Sequence, residues 1–339
     1  MRALVYEAAW RMPLRQVPDL TPGPGEVIVK VAAVGICGSD VHGFTGSTGR
    51  RNPGIVMGHE FSGTVAALGE GVTGHAIGER VVVQPLMTCG TCVNCRAGLP
   101  NICLHRRGLG MVDVDGAYAE AVRVPQELLY PLPEELTWEQ GALVEPLAVS
   151  MRAANQTPIT LGDTVVVIGA GPIGLLTMMA AKLKGAGTVI MTDLSEHRLE
   201  VARRLGADLT INPKQQDALA IVREVTGGPG AHATIEAVGI SATVGQSLAL
   251  VRTGGHITWI GNSAPKVDVL MQEVVTRELT IRGTYGFAEE FPRAIATLRS
   301  GRLDVMPLVE RIATLEEAPE IIHDLAEGSL DEVKVILKP

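Results

Sequence analysis

The sequence predicts an α/β protein with two differently built parts, and three observations carry that prediction. Up to about residue 147 the chain is rich in Gly, Pro and β-branched residues, with strand-like runs such as EVIVKVAAVGI and ERVVVQP. From about residue 160, strands and helices alternate, which is typical of a doubly wound parallel sheet. A glycine-rich turn joins the first of these strands to its helix. We therefore expect one mostly-β domain (1–147 with 287–339) and one parallel-sheet domain (148–286).

Composition narrows the function classes. The 339 residues suffice for about two domains, and 46% hydrophobic with 19% charged residues excludes a disordered chain. A net charge of −8 weighs against a large nucleic-acid footprint. The apolar stretch 165–181 falls short of the ~20 residues of a membrane span and is interrupted by GAGPIG. It predicts a buried strand followed by a buried helix.

The amino-terminal run MRALVYEAAW has no basic segment followed by a long apolar core, so we expect a short strand and a cytoplasmic protein. In a reducing compartment, clustered cysteines are more often metal ligands than disulfides.

Later elements follow in alternation. TVIMTDLS, HATIEAVG and HITWIG predict strands, HRLEVARRLGA and ATVGQSLALVRTGG predict helices, and ELTIRGTYG (278–286) predicts the last strand of this sheet. Beyond it we expect helices near 288–300 and 315–327 and a final strand in EVKVILKP.

The glycine turn predicts a dinucleotide-binding Rossmann domain. Val165–Ile168 leads into Gly169-Ala170-Gly171-Pro172-Ile173-Gly174. Gly169 permits the tight turn, Gly171 lets backbone approach a pyrophosphate, and Gly174 lets the helix pack closely on the strand. The helix N-terminus then faces the phosphates. In a chain with 39 glycines this motif needs its context, which is a strand before, a helix after, and an acid about 20 residues on.

That acid is Asp193, which ends VIMTD. A carboxylate there accepts hydrogen bonds from the ribose hydroxyls and repels a 2′-phosphate, so NAD is expected over NADP. Arg198 lies near enough in sequence to soften this repulsion and allow some NADP use. A solvated helix arginine and a surface aspartate are the purely structural alternatives.

Four of the five cysteines fall in CGTCVNCRAGLPNIC, at Cys89, Cys92, Cys95 and Cys103. Four thiolates complete a tetrahedral zinc shell, which predicts a structural site that holds its loop together. An iron–sulfur cluster and a nucleic-acid zinc ribbon are the alternatives, and the acidic total weighs against the ribbon.

Cys37, the fifth cysteine, lies outside this cluster and could be a metal ligand elsewhere. With His59 and Glu60 it offers a thiolate, an imidazole and a carboxylate, and three protein ligands with an open position define a catalytic zinc site. Singly, a buried cysteine and a surface His-Glu pair are commoner.

The chain resembles the zinc-containing medium-chain alcohol dehydrogenases over essentially its full length. The resemblance rests on GICGSDVH (35–42), GHEFSG (58–63), the cysteine loop, LVEPLAVS (143–150) and GAGPIG. It implies a GroES-like catalytic domain and a Rossmann coenzyme domain. It also implies two zinc ions and NAD, and a dimer or tetramer with tetramers common.

The resemblance also implies residue roles. Cys37 and His59 match zinc ligands, and Glu60 matches a glutamate that is a ligand in the polyol branch. Glu145 stands where simple alcohol dehydrogenases have a third, cysteine ligand; in sorbitol and butanediol dehydrogenases a glutamate here often binds the zinc water. Asp40 matches a carboxylate that fixes the histidine tautomer, and Ser39 and His42 match a proton relay.

Each role has a structural alternative. Ser39 and Asp40 could cap a helix beginning near Val41, and His42 could be an exposed loop residue. Glu145 lies in an apolar run where an unpaired carboxylate would be costly, which favours a functional partner.

The resemblance implies zinc-assisted, reversible oxidation of a secondary hydroxyl, on a polyol or vicinal diol, to a ketone with hydride transfer to NAD. Sorbitol dehydrogenases carry an Arg-Tyr pair where this chain has Gly286-Phe287. Another polyol, an inositol-like ring or a 2,3-diol is therefore equally expected. A threonine dehydrogenase, a simple alcohol dehydrogenase and, remotely, a non-catalytic zinc-ribbon binding protein are the alternatives.

Overall fold

A computed structural model describes all 339 residues, and the chain divides into two compact units. One unit comprises Met1–Glu145 and Phe291–Pro339, and the other comprises Pro146–Glu290. The chain thus changes unit at 145/146 and 290/291, whereas we expected boundaries at 147/148 and 286/287 from the sequence.

The strands are β1 (Arg2–Leu4), β2 (Leu14–Gln16), β3 (Glu26–Gly35), β4 (Glu60–Leu68), β5 (Arg80–Val83), β6 (Leu86–Met87), β7 (Arg107–Gly108), β8 (Ala121–Pro125), β9 (Leu129–Pro131), β10 (Thr164–Ile168), β11 (Thr188–Thr192), β12 (Leu209–Ile211), β13 (Ala231–Glu236), β14 (Val251–Trp259), β15 (Thr280–Gly283), β16 (Val309–Thr314) and β17 (Lys334–Lys338).

The α-helices are α1 (Gly38–Phe44), α2 (Val93–Arg96), α3 (Trp138–Ala142), α4 (Val144–Gln156), α5 (Pro172–Lys184), α6 (Glu196–Arg204), α7 (Ala218–Val225), α8 (Ser241–Leu250), α9 (Met271–Thr276), α10 (Glu290–Arg299) and α11 (Ala318–Glu327).

The unit 146–290 is built on one parallel sheet of six strands, in the order β12-β11-β10-β13-β14-β15. The strand order reverses between β10 and β13, and ligands of such sheets bind outside the carboxyl ends of the strands at this point. The sheet confirms the predicted doubly wound class. Four elements, α4, β12, α7 and α9, lie in segments for which no element was predicted from the sequence. Of these, β12 has only three residues and α7 and α9 are short helices, whereas α4 has 13 residues.

The other unit is mostly β, as predicted. Its main sheet has the order β16-β17-β3-β4-β5-β9, with β8 also paired to β3. Its core packs valines of β3, β4, β5 and β8 with Phe61, Leu109 and Tyr118.

The last strand brings the carboxyl-terminal segment to the centre of this sheet. β17 pairs antiparallel with β3, and β3 pairs antiparallel with β4, so that Ile336, Gly35 and Glu60 lie side by side across three strands. Because Lys334 precedes Ile336 by two residues, its side chain lies on the same face of β17 near Glu60.

The apolar stretch 165–181 forms most of β10 and α5, as the sequence predicted. No helix of the protein is both long and apolar enough to cross a membrane.

Candidate active site and metal centres

The first candidate centre begins where β3 ends. The chain leaves the sheet at Gly35, and Cys37 is the N-cap residue of α1 without a side-chain capping bond. The predicted cap at Ser39 or Asp40 is wrong, because the helix begins at Gly38 and both residues lie inside it. Their side chains are thus free of a capping role.

Cys37, His59 and Glu60 come together although Cys37 is more than 20 residues from the pair in sequence. One ligand atom from each lies within 4.8 Å of the others, with Cys37 half-buried and the other two buried. A soft thiolate, an imidazole and a carboxylate at this separation fit a single zinc ion and leave a fourth position for a small molecule. The residues present therefore fit the group that the sequence predicted.

Asp40 connects His59 to the core. Its Oδ2 lies 3.4 Å from His59 Nδ1 and accepts a 2.8 Å hydrogen bond from the Tyr118 hydroxyl, and its Oδ1 pairs with Arg51 Nη2 at 3.1 Å. With Nδ1 turned to Asp40, Nε2 is the ring nitrogen available to a metal.

The pKa values show that this pocket favours positive charge. Burial opposes ionisation of Asp40, but His59, Arg51 and the Tyr118 hydroxyl lower the pKa of its carboxyl to about 2. Burial likewise opposes a charged His59, yet Asp40 and Cys37 raise its pKa well above the usual value. Groups that stabilise a charged imidazole in this way also attract a cation.

Glu60 has a second partner that the sequence analysis missed. Lys334 Nζ lies 2.7 Å from Glu60 Oε2 and donates a 3.0 Å hydrogen bond to the Ile36 carbonyl, and both side chains are almost fully buried. One carboxylate oxygen of Glu60 is thus engaged by a lysine.

Glu145 lies in the first turn of α4 and is buried, but it is not among the three residues whose ligand atoms lie within 4.8 Å of one another. The pKa of its carboxyl is raised to about 7: burial is the largest cause, Glu60 and Asp40 also raise it, and His59 and Lys334 oppose them. The charges of the site therefore act on Glu145, although Glu145 is not one of the three grouped ligands. Direct zinc ligation by Glu145 stays a prediction.

Ser39 and His42 are both exposed on α1. Ser39 Oγ lies 3.4 Å from Cys37 Sγ, so its hydroxyl reaches the centre. The residues are one turn apart on the helix, an arrangement compatible with a path to solvent.

The four remaining cysteines form a second, separate cluster. The Sγ–Sγ distances are 3.5 Å for Cys92–Cys95 and Cys89–Cys103 and 3.9 Å for Cys92–Cys103, and none is a disulfide. A tetrahedron with Zn–S bonds of about 2.3 Å has edges of about 3.8 Å. The geometry therefore fits one ion with a closed shell, and thiolates on different irons of a cluster would stand further apart.

Main-chain N–H groups point to two of the sulfurs in this loop, those of Cys89 and Cys103. The N–H groups of Thr91 and Cys92 lower the pKa of the Cys89 thiol to about 5, and the Cys89 and His105 N–H groups point to Cys103 Sγ at 3.4 and 3.3 Å. The loop contributes little apolar packing besides Cys103, so a metal would be its main crosslink.

The candidate dinucleotide site lies at the start of α5. Gly169 has φ +99°, and a Cβ on Gly174 would lie 1.8 Å from the Gly169 carbonyl oxygen. Gly171 is the N-cap of α5, Pro172 and Ile173 open the first turn, and a Cβ on Gly171 would meet only open space. These are the features that a bound pyrophosphate requires.

Asp193 directly follows β11. Its Oδ2 accepts the Ala170 N–H at 2.7 Å and its Oδ1 accepts the Ser195 N–H at 2.9 Å, which fixes the carboxylate beside the glycine turn. Arg198 is half-buried in α6, where its N–H bonds to Ser195 Oγ.

Arg51, Tyr118 and Lys334 are the site residues that the sequence analysis did not find. Lys334 left a usable signal, since a lysine between valines in the apolar run VKVILK is unexpected for a buried strand. Arg51 and Tyr118 gave none, because their places follow from loop and sheet packing over 11 and 78 residues to Asp40.

Comparison with known proteins extends over the whole chain. A family profile described as "Alcohol dehydrogenase GroES-like domain" matches residues 23–134, and one described as "Zinc-binding dehydrogenase" matches residues 172–300. Sorbitol dehydrogenase of Bacillus subtilis is 35% identical over 344 residues, covering 100% of this chain and 97% of that protein.

Two solved structures are similar over their full length. A chain described as a zinc-binding dehydrogenase of Sinorhizobium meliloti, with NADP bound, has a TM-score of 0.93 at 34% identity, covering 100% of this chain and 99% of that one. The 2R,3R-butanediol dehydrogenase of Bacillus subtilis has a TM-score of 0.90 at 31% identity, with the same coverage. These matches leave the zinc-ribbon alternative without support.

Proposed function

Because the chain belongs to the zinc-containing medium-chain alcohol dehydrogenase family, in its polyol branch, we propose that it oxidises a secondary hydroxyl of a polyol or vicinal diol to a ketone. The observation that carries this proposal is the Cys37–His59–Glu60 group, three ligands with room for a fourth, in a chain that also has a dinucleotide turn.

In the balanced reaction a secondary alcohol and NAD⁺ give a ketone, NADH and a proton. Cys37, His59 and Glu60 would hold a zinc ion, which when bound would supply Lewis-acid polarisation of the substrate oxygen, and a bound nicotinamide would supply the hydride acceptor. Asp40 keeps the His59 ring oriented through Nδ1. Lys334 offsets the charge of Glu60, which leaves the centre better able to stabilise negative charge that develops on the substrate oxygen.

The proton path is assigned to α1. Ser39 lies next to Cys37 and can take up the hydroxyl proton on Oγ as its own hydroxyl proton leaves towards the exposed His42, which can pass a proton to solvent. Glu145, whose carboxyl has a pKa of about 7 and lies outside the ligand group, suits a role in holding the water or substrate of the centre.

The substrate class follows from the relatives. Proteins named sorbitol dehydrogenase and 2R,3R-butanediol dehydrogenase are both similar over the full length, and both names denote oxidation of one of two or more hydroxyls. Phe287, where sorbitol dehydrogenases have part of an Arg-Tyr pair, is almost fully buried. A 2,3-diol or a ring polyol is therefore as well supported as sorbitol itself.

For the cofactor we propose NAD in preference to NADP. Asp193 is held by two main-chain N–H groups at the place where the ribose hydroxyls would bind, and a carboxylate fixed there repels a 2′-phosphate. One similar chain was solved with NADP, so a test must compare both cofactors.

We also propose a cytoplasmic homotetramer or homodimer. Free thiols throughout suit a reducing compartment. The edge strand β15 and the exposed apolar side chains of Leu270, Met271 and Val275 offer a surface for a second copy of the chain.

The decisive test is a substrate panel. Zinc-loaded protein is mixed with NAD or NADP and with sorbitol, xylitol, myo-inositol, 2,3-butanediol, threonine and ethanol, and NADH formation is followed at 340 nm. The proposal predicts the highest kcat/KM for a diol or polyol with NAD. Preference for threonine or ethanol would assign the chain to another branch, and silence with every alcohol would refute the proposal.

A further inference from the structure

Glu236 is a buried acid at the switch point of the parallel sheet. It ends β13 and lies opposite Ile168, the last residue of β10 before the glycine turn. The next residue continues the contact, because the Ala237 N–H donates to the Ile168 carbonyl at 2.9 Å. Glu236 thus lies at the carboxyl end of the parallel strands, where a dinucleotide would bind.

Glu236 contacts the two loops that follow β13 and β14, residues 237–240 and 260–264, the first through its side chain and the second through its main-chain carbonyl. Oε1 accepts the N–H groups of Val238 at 2.9 Å and Gly239 at 2.7 Å. The main-chain carbonyl of Glu236 accepts the N–H groups of Ile260 and Gly261 at 2.9 and 3.0 Å. Glu236 therefore makes hydrogen bonds to both loops.

The two loops pack at backbone contact. A Cβ on Gly261 would lie 2.2 Å from the Gly239 nitrogen and 2.5 Å from Glu236 Oε2. Ser263 Oγ donates to the Val238 carbonyl at 2.6 Å, and the Ala264 N–H donates to the Gly239 carbonyl at 2.9 Å. Any shift of the first loop therefore moves the second.

The first loop in turn packs on the glycine turn. A Cβ on Gly169 would lie 2.6 Å from Val238 Cγ2, and one on Gly174 would lie 3.7 Å from Ala237 Cβ. Val238, whose N–H Glu236 accepts, thus packs on Gly169, and its neighbour Ala237 packs on Gly174. The other carboxylate oxygen of Glu236, Oε2, is buried and has no hydrogen-bond partner. Burying an unpaired polar atom is costly, so a residue that served only to end the strand would not be expected to carry one.

We propose that Glu236 is a positioning residue for the dinucleotide: through its Oε1 bonds to Val238 and Gly239 it holds the loops after β13 and β14 against the Gly169–Gly174 turn. This inference rests on the proposed use of a nicotinamide dinucleotide, and it adds a residue outside the glycine motif and Asp193.

The test uses intact, zinc-loaded protein and measures the NADH dissociation constant by fluorescence titration, beside KM for NAD, kcat and the unfolding midpoint. Glu236→Gln retains the Oε1 acceptor, so its NADH affinity should stay close to that of the wild type. Glu236→Ala removes the acceptor of two main-chain N–H groups and should weaken NADH binding about tenfold, because the first loop is no longer held against the glycine turn. KM for NAD should rise more than kcat falls.

Thr234→Val is the matched control. Thr234 is equally buried in β13, but its Oγ1 bonds to the Ser247 carbonyl and not to either loop. It should lower the unfolding midpoint while NADH affinity is unchanged.

If Glu236→Ala does not fold, Glu236→Asp is measured in its place. Aspartate keeps the charge, but its shorter side chain moves the acceptor oxygen away from the Val238 and Gly239 N–H groups. The same loss of NADH affinity is expected. Unchanged NADH affinity in the Ala or Asp variant overturns the proposal. So does an equal loss in Thr234→Val, or a loss in Glu236→Gln as large as that in Glu236→Ala. Wild-type protein that binds neither NADH nor NADPH would refute the proposed cofactor itself, and with it the inference that rests on it; this outcome is distinguished from the others because the wild type already fails to bind.

Discussion

Lys334 Nζ lies 2.7 Å from Glu60 Oε2 in the interior of the mostly-β unit, and this ion pair joins the last strand of the chain to a candidate zinc ligand. Burial opposes the charge on Lys334, but Glu60 and Cys37 keep its pKa above the usual value. Lys334 therefore keeps its charge, and Glu60 is the carboxylate that offsets the cost of burying it.

Removing the lysine should be strongly destabilising. Lys334→Met leaves Glu60 buried without its partner, so we expect the free energy of unfolding to fall by about 3 kcal/mol. Lys338→Met is the matched control, since Lys338 lies in the same strand but pairs with Glu139 near the surface, and it should cost less than about 1 kcal/mol. Urea denaturation of both variants measures the difference. Equal losses would show that Lys334 does not support Glu60.

The four-cysteine loop should be structural. Cys92→Ser is expected to release about one zinc per chain, because three thiolates no longer close the shell, and to lower the unfolding midpoint by about 10 °C. Zinc analysis and a melting curve check this. A variant that keeps the wild-type melting curve would remove the structural role from the loop.

Asp193 should decide between the two nicotinamide cofactors. Asp193→Asn keeps an oxygen acceptor for the Ala170 N–H but loses the charge, so the ratio of kcat/KM for NADP to that for NAD should rise about tenfold. Asp208→Asn changes the net charge equally in an ion pair with Lys182 and should leave the ratio unchanged. An unaltered ratio in Asp193→Asn would mean that another group recognises the ribose.

Glu290 should make stability depend on acid pH. Burial alone would raise the pKa of its carboxyl, but the Ala288 N–H, Asn155 and Arg152 outweigh it and lower the pKa below 4.5. A lowered folded pKa means that the stabilisation is present above the unfolded pKa and is lost as pH falls through the folded value.

Wild type should therefore exceed Glu290→Gln in unfolding free energy at pH 7, and the gap should narrow below about pH 4.5. Denaturant titrations across this range measure the gap. A difference in unfolding free energy that does not change with pH would contradict the lowered pKa of Glu290.

Much of this molecule could be predicted from local sequence. The strand before GAGPIG, the helix after it and Asp193 about 20 residues on required only short-range patterns, and the parallel sheet followed from them. The spacing of Cys89, Cys92 and Cys95 likewise indicated a metal loop, because three ligands lie within one loop.

Residues joined over long distances in sequence were harder to predict. Lys334 reaches Glu60 only because β17 pairs with β3, and Tyr118 reaches Asp40 only across the core. Glu236 ends a strand that had been predicted, but its hydrogen bonds to the following loop depend on backbone turns that a sequence pattern does not reveal. The pairing of distant strands and the conformation of loops decide these contacts.

The most direct test of the account is the activity and zinc content of Cys37→Ser. Cys37 belongs to the group with an open position and makes no contact with the four-cysteine loop that the structure records. The account predicts a folded protein that retains about one zinc per chain and loses NAD-dependent oxidation of the preferred alcohol at 340 nm. A variant that retains activity close to the wild-type rate would contradict the central claim that the chemistry takes place at Cys37, His59 and Glu60.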